Sequence, residues 1–189
     1  MRVVAGKAKG RRLKSLKGEN TRPTSDKVKE SLFSILGGLV MNAKILDLFA
    51  GTGSLGIEAL SRGAEYAVFI DNDRNSVRVI NENLKQCGFF EQALVIKKDV
   101  CSALVRLSVE ERGFDLVFLD PPYDTDWAEP VLDLVVEHHL LAEEALVIVE
   151  SGKENEINPE TPHLTKRREA VYGNSKLTFF DIKPEGEGD

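Results

Sequence analysis

The chain is predicted to fold as one α/β domain built on a mostly parallel sheet that closes with an antiparallel hairpin. Three observations carry that expectation. From residue 44 onward, near-continuous apolar runs alternate with amphipathic stretches; a glycine-rich turn, D-L-F-A-G-T-G-S-L-G, joins the first run to the first stretch; and two late strand-like runs flank Gly173 and Asn174. Regular alternation is the order of βαβ units, and unbroken hydrophobicity along a strand means that helices cover both of its faces. A length of 189 residues with 42% hydrophobic content suits one such domain.

Taken in order, residues 1–20 form a basic N-terminal extension, residues 21–183 the α/β domain, and residues 184–189, ending in acid and glycine, a frayed tail. In T-R-P-T-S-D-K-V-K-E-S-L-F-S-I-L, Thr24 or Ser25 caps a helix with Asp26 in its first turn and Val28, Leu32 and Ile35 along one face. Strands are expected at 44–49, 66–71, 93–97, 115–120 and 145–150, with helices at 54–62, 74–87, 100–111 and 127–138 between them. In the second of these helices Val77, Ile80, Leu84 and Cys87 share a face, and Gly88 stops it. A polar, proline-punctuated loop follows the fifth strand and matches no pattern. The runs on either side of Gly173 and Asn174 then read as a hairpin.

Composition excludes several classes. No apolar run is long enough to span a membrane and the N-terminus lacks a signal-peptide core, so the expectation is a cytoplasmic protein with no membrane partner. Cys87 and Cys101 have no metal-ligand spacing and are expected to be reduced; no metal site is expected. The net charge of -6 hides an asymmetry: residues 1–30 hold ten Lys/Arg against three Asp/Glu, a balance of +7, which leaves -13 for the rest. Arg2, Lys7, Lys9, Arg11 and Arg12 lie in a stretch with no acidic residue before Glu19, a patch able to engage nucleic-acid phosphates. His138 and His139 are expected to be a helix cap and a surface residue rather than a base, Trp127 to pack, and Lys166, Arg167 and Arg168 either to touch phosphate or to form an exposed charged edge.

The glycine turn contains G-x-G-x-x-G at Gly51, Gly53 and Gly56, with Thr52 between the first two and Asp71 twenty residues beyond Gly51. That is also the dinucleotide fingerprint, and both readings imply an adenosine-containing cofactor. Asp71, ending the second strand, can accept from both ribose hydroxyls. Asp99, ending the third, can accept from the adenine amino group, with Asn72 and Val100 near the ring. The readings diverge at Asp47, which would repel a pyrophosphate but could hold an ammonium group; S-adenosylmethionine carries the ammonium and no phosphate.

The fourth strand runs into F-L-D-P-P-Y, residues 118–123. A nucleobase amino group is a poor nucleophile because its lone pair is delocalised into the ring. The Asp120 carboxylate and the Pro121 carbonyl could orient its N–H bonds so that the lone pair faces an electrophilic methyl. Pro121 and Pro122 fix φ and present carbonyls without N–H groups, and Tyr123 offers a face for a base removed from its stack. Proximity and electrostatic stabilisation would carry the catalysis, without a metal.

D-P-P-Y after the fourth strand, with D-L-F-A-G-T-G-S after the first, resembles the amino-group methyltransferases that act on exocyclic base nitrogens. R-V-V-A-G-K-A-K-G-R-R-L, T-R-P-T-S-D-K-V-K-E-S-L-F-S-I-L and V-Y-G-N-S-K-L-T-F-F, in that order along nearly the whole chain, are similar to the bacterial 16S ribosomal RNA methyltransferases that modify N2 of guanine 966. The resemblance implies a seven-stranded, Rossmann-like class I methyltransferase fold and an N-terminal extension at the RNA entrance. It implies Arg22, Pro23 and Thr24 beside the methionine end of S-adenosylmethionine, Asp71 on the ribose, Asp99 on adenine, and Asp120 to Tyr123 on the reacting base. It also favours a partly assembled small subunit as the form in which 16S rRNA is met. Nothing in the sequence demands a dimer, and a monomer is expected. Asp71 is a departure, because the ribose acid in such enzymes is often Glu. The alternatives are methylation of a DNA adenine, for which the chain has little room for a recognition insertion; a nicotinamide-dependent oxidoreductase, which leaves D-P-P-Y unexplained; and an RNA-binding protein without turnover.

Overall fold

The computed structural model describes residues 1–16, 26–110, 113–122, 127–159 and 163–183. Seven strands, β1 (Lys44–Leu48), β2 (Tyr66–Asp71), β3 (Ala93–Lys97), β4 (Phe114–Leu119), β5 (Leu141–Gly152), β6 (Leu164–Tyr172) and β7 (Ser175–Ile182), form one sheet in the order β3-β2-β1-β4-β5-β7-β6. β1 to β5 are parallel, and β7 inserts antiparallel between β5 and β6. Chain order reverses between β1 and β4, so the crevice outside their C-terminal ends is where an open α/β sheet takes its ligand.

Strand alternation splits the core into two layers. Ile45, Phe69, Phe118, Ile148 and Phe179 face α1 (Asp26–Leu36), α2 (Ser54–Ser61) and α3 (Arg74–Cys87), while Leu46, Val68, Val117, Val147 and Phe180 face α4 (Val100–Glu110) and α5 (Ala128–Glu137). Both faces of the central strands are dry, which is why they read as unbroken apolar runs. α3 starts on Asp73, whose carboxylate accepts from the Ser76 N–H at 2.8 Å, and ends on Gly88 at φ 81°. The hairpin turn sits at Gly173 and Asn174, with Gly173 at φ 63°.

Several expectations needed correction. β4 ends at Leu119, so Asp120 stands just beyond the strand rather than inside it. β5 begins at Leu141, four residues early, because Leu141 pairs with Phe114 before an irregularity in register. In α1 the buried set is Val28, Lys29, Leu32, Phe33 and Leu36; Ile35 is only partly buried, since the helix is rotated to pack Phe33 against Phe118 at 5.9 Å between ring centroids. Trp127 does not pack: it stays 46% exposed at the start of α5. The caps proposed at Thr24 and Ser25 and the tail 184–189 lie outside the described residues, as does the boundary at residue 20.

The N-terminal extension packs on the domain. Residues 1–16 are docked, with Val3, Ala8 and Leu13 buried in the layer of α1 to α3 and Arg2 bridged to Arg12. The backbone N–H groups of Val4 and Ala5 donate to Glu58 at 2.7 and 3.0 Å, and that of Ala8 donates to the Ser61 hydroxyl at 3.0 Å. Glu58 is wholly buried and is neutralised by Lys29, equally buried, at 3.5 Å and by Arg62 at 2.9 Å. Lys29 also donates to the Arg2 carbonyl at 2.6 Å; burial pulls its pKa down and the Glu58 charge opposes that pull.

Candidate active site

The tips of β1, β2, β3 and β4 carry the polar residues that sequence singled out. Gly51 at φ 55° and Gly53 at φ 74° turn the chain from β1 into α2 through conformations that L side chains rarely adopt. Gly56 serves a different need. A Cβ there would lie 2.4 Å from the Phe69 ring, so its absence lets α2 lie against β2. Around Gly51 the space is open: a Cβ there would meet only the Phe49 carbonyl, at 3.9 Å, so a ligand can approach bare backbone.

Two carboxylates brace this turn. Asp47 is 2% exposed and accepts from the Gly56 N–H at 2.9 Å; burial raises its pKa to about 7, the Gly56 bond opposes the rise and the Asp71 charge adds to it. Asp71 accepts from the Gly51 N–H and the Asp73 N–H, each at 2.8 Å, one on either oxygen. Its pKa is also raised, by burial first. Each oxygen of a carboxylate has a second lone pair, so Asp71 can hold the turn and still accept from a diol. Asn72 is exposed beside it. At the next strand tip Asp99 is exposed and accepts from the Ser102 N–H at 2.9 Å, which holds its carboxyl below the usual range and caps α4; Val100 beside it is buried. The β2 and β3 tips are tied by the Lys98 N–H to the Asp71 carbonyl at 3.2 Å.

β4 lies against β1 with Leu119 opposite Leu48, which sets Asp120 beside the glycine turn. The Asp120 residue keeps part of its surface open while its carboxyl is enclosed. Burial, then the negative charges of Glu150 and Asp47, push its pKa well above the ordinary carboxylate value. Pro121 is buried and Pro122 exposed. Asp47, Asp71, Asp120, Pro121 and Asp99 thus share one edge of the sheet. Tyr123, Arg22, Pro23 and Thr24, the remaining expected site residues, lie outside the described residues.

Sequence reasoning missed two groups. Asn83, fully buried on α3, donates to the Thr52 carbonyl at 3.0 Å and to the Lys14 carbonyl at 3.2 Å, and accepts from the Lys14 N–H at 2.8 Å, linking the glycine turn to the docked arm. An Asn between Ile80 and Leu84 on an apolar helix face was the available signal. The second is Glu150, 6% exposed and two residues before the end of β5. Of the basic patch, Arg2, Lys7, Lys9, Arg11 and Arg12 are all exposed. Arg2 pairs with Asp26 at 3.4 Å and Arg11 donates to the Gln86 carbonyl at 2.6 Å, whereas Lys7, Lys9 and Arg12 have no side-chain partner among the described residues. No group of three or more metal-ligating side chains occurs among the described residues, and Cys87 and Cys101 are free thiols.

Comparison with known proteins follows the same lines. The model of a family described as Conserved hypothetical protein 95 matches residues 1–181. The chain is 39% identical over 171 residues to Ribosomal RNA small subunit methyltransferase D of Haemophilus influenzae, covering 89% of this chain and 88% of that one. To the protein of the same name from Escherichia coli strain K12 it is 34% identical over 191 residues, covering 100% and 93%. A solved Escherichia coli structure, named for methyl transfer, is 34% identical and superposes with a TM-score of 0.84 over 97% of this chain and 98% of that chain.

Proposed function

The chain belongs to the family described as Conserved hypothetical protein 95, and from that membership and its site geometry we propose that it methylates the exocyclic N2 of a guanine in 16S ribosomal RNA, with S-adenosylmethionine as donor. The observation that carries the reading is the juxtaposition of Asp120 and Pro121, at the tip of β4, with the glycine turn at the tip of β1. Relatives named for methylation of small-subunit ribosomal RNA give the substrate class.

The residues present fit the donor. Bare backbone at Gly51 admits an adenosine, Asp71 has lone pairs for the ribose hydroxyls, and Asp99 retains an oxygen for the adenine amino group. Asp47, buried and poised near pH 7, gains from a cation, which an ammonium group supplies and a pyrophosphate does not. That disfavours a nicotinamide dinucleotide. Arg22, Pro23 and Thr24 are assigned to the methionine end. S-adenosylmethionine supplies a methyl group on a positively charged sulfonium.

The chain's own part is to hold and orient the base. The Asp120 carboxylate and the Pro121 carbonyl accept from the two N2–H bonds, so the nitrogen lone pair is drawn out of the ring and aimed at the methyl. As the N–C bond formed and the methyl carbon parted from sulfur, which would keep the bonding electrons and become a neutral thioether, the amine would turn cationic and shed one proton, for which Asp120 is the nearby acceptor. Tyr123 stacks on the extruded base. Lys7, Lys9 and Arg12, on the docked arm, meet RNA phosphates. The protein acts in the cytoplasm as a monomer on a partly assembled subunit, whose proteins supplement the recognition that one small domain provides.

The test is transfer of labelled methyl from S-adenosylmethionine to 30S subunits and to their naked RNA, both from cells lacking the modification, followed by nucleoside analysis. Label in N2-methylguanosine is expected, with subunits the better substrate. Label in another nucleoside, or in neither RNA although the donor binds, would sink the proposal.

A further inference from the structure

We propose that Asn83 is a positioning residue that couples the N-terminal arm to the glycine turn, so that RNA held on the arm and S-adenosylmethionine held on the turn each tighten binding of the other. The inference rests on the reading of the site given above. Asn83 is fully buried on α3, and its amide is divided between two main-chain segments. Its Oδ1 accepts from the Lys14 N–H at 2.8 Å, while its Nδ2 donates to the Lys14 carbonyl at 3.2 Å and to the Thr52 carbonyl at 3.0 Å. A primary amide has two N–H donors, so one serves the arm and the other the turn. The same helix grips the arm on either side of this contact: Gln86 donates to the Arg12 carbonyl at 2.7 Å, and Lys14 pairs with Glu82 at 3.0 Å.

The turn depends on such support. Gly51 and Gly53 sit at φ 55° and 74°, and because glycine moves readily between conformations, ties to neighbouring groups decide which one is kept. Three are made: the Gly51 N–H donates to Asp71 at 2.8 Å, the Gly53 N–H to the Ala50 carbonyl at 2.7 Å, and Asn83 to the Thr52 carbonyl. Of these, the last runs to a group that the arm also holds. With Lys14 docked, the amide is fixed and the Thr52 peptide is fixed with it. With Lys14 away, the buried Oδ1 and one N–H lose their partners, a cost that the side chain relieves by turning toward water and releasing Thr52. RNA whose target base lies at the tip of β4 meets Lys7, Lys9 and Arg12 at a set distance only when the arm is docked. S-adenosylmethionine against Gly51 favours the fixed turn. Two ligands that favour the same state of one element bind cooperatively, by the same factor in both directions.

The experiment measures binding of labelled S-adenosylhomocysteine, which has no methyl to transfer, to the full chain by equilibrium dialysis. It is done alone and with saturating 30S subunits from cells lacking the modification. The wild-type protein is expected to bind at least about fivefold more tightly with subunits present, and to bind subunits more tightly by the same factor with the ligand present. Asn83→Leu keeps the side-chain volume and removes all three bonds, and the enhancement should fall to within about twofold of none. A merely structural Asn83 would lower the melting temperature and weaken both ligands while leaving the enhancement as it was. That result, or no enhancement in the wild-type protein, overturns the proposal. If Asn83→Leu does not fold, exchange of the Lys14 amide hydrogen in the wild-type protein decides: S-adenosylhomocysteine without RNA should slow it at least about fivefold, and an unchanged rate rejects the coupling. If the wild-type protein binds no S-adenosylhomocysteine under either condition, the parent reading has failed instead.

Discussion

A carboxylate that becomes fully ionised only when a cation arrives releases a proton on binding. Burial raises the Asp47 carboxyl to about 7, so in the free protein it holds its proton well above the ordinary carboxylate range. An ammonium group beside it favours the charged form. Calorimetry at pH 6.5 in two buffers of different ionisation heat should therefore show proton release on S-adenosylmethionine binding, and Asp47→Asn should abolish it and weaken affinity. Buffer-independent heats would remove Asp47 from the ammonium site. The sign for stability runs the other way: the folded group titrates near 7 and the unfolded one near 3.8, so stability falls as pH rises through that window. Asp47→Asn, which keeps an acceptor for Gly56, should raise the melting temperature of the ligand-free protein at pH 8. For Asp120→Ala the expectation is a rate at least about 100-fold lower with donor affinity retained; near-normal turnover would deny it a role. Asp71 and Asp120 were legible because each closes an apolar run, and Asp47 because it interrupts one just ahead of the glycine turn, places where a charge has no packing reason to be. Asn83 and Glu58 were not, because a lone polar residue in a helix reads as a solvent face unless its distant partners are known, and Glu150, which also closes an apolar run, was passed over because no motif follows it.

Periodicity located every α-helix and strand that the structure describes from residue 44 onward, because each element's burial follows from its own residues. Its errors fall where burial depends on another element. β5 was cut short because L-A-E-E pairs with the start of β4, and α1 was turned slightly because its face is set by Phe118. The arm was the least legible element, since what holds Val4 and Ala5 is a carboxylate more than fifty residues away. Removing one partner from a buried ion pair is costly. Glu58→Ala should destabilise the fold by about 3–5 kcal/mol, measured by denaturant unfolding, and should speed hydrogen exchange at Val4 and Ala5 ahead of global opening. A loss confined to global stability, with arm exchange no faster than that of the sheet, would mean the arm is held by Val3, Ala8 and Leu13 alone.

For the whole molecule, the consequence of a docked arm is that charge and packing can be tested apart. Deleting residues 1–18 would strip Val3, Ala8 and Leu13 from the core along with the lysines, so the informative variant is Lys7→Gln with Lys9→Gln and Arg12→Gln. It should keep the melting temperature, weaken RNA binding, and flatten the slope of log affinity against log salt by roughly 0.7–0.9 for each phosphate left without its cation. An unaltered slope would make the patch a bystander. The overall charge of -6 gave no hint of this, because it averages a basic surface with a much larger acidic one. The arm also has a history within each molecule. It is synthesised before α2 and α3, yet its partners Glu58, Ser61 and Asn83 lie 53 to 69 residues further along. Until that length of chain has left the ribosome, a segment with the charge of a phosphate binder and the apolar residues of a core strand has no native place to go. Its closing waits on the rest of the layer, making it a late, long-range step of folding.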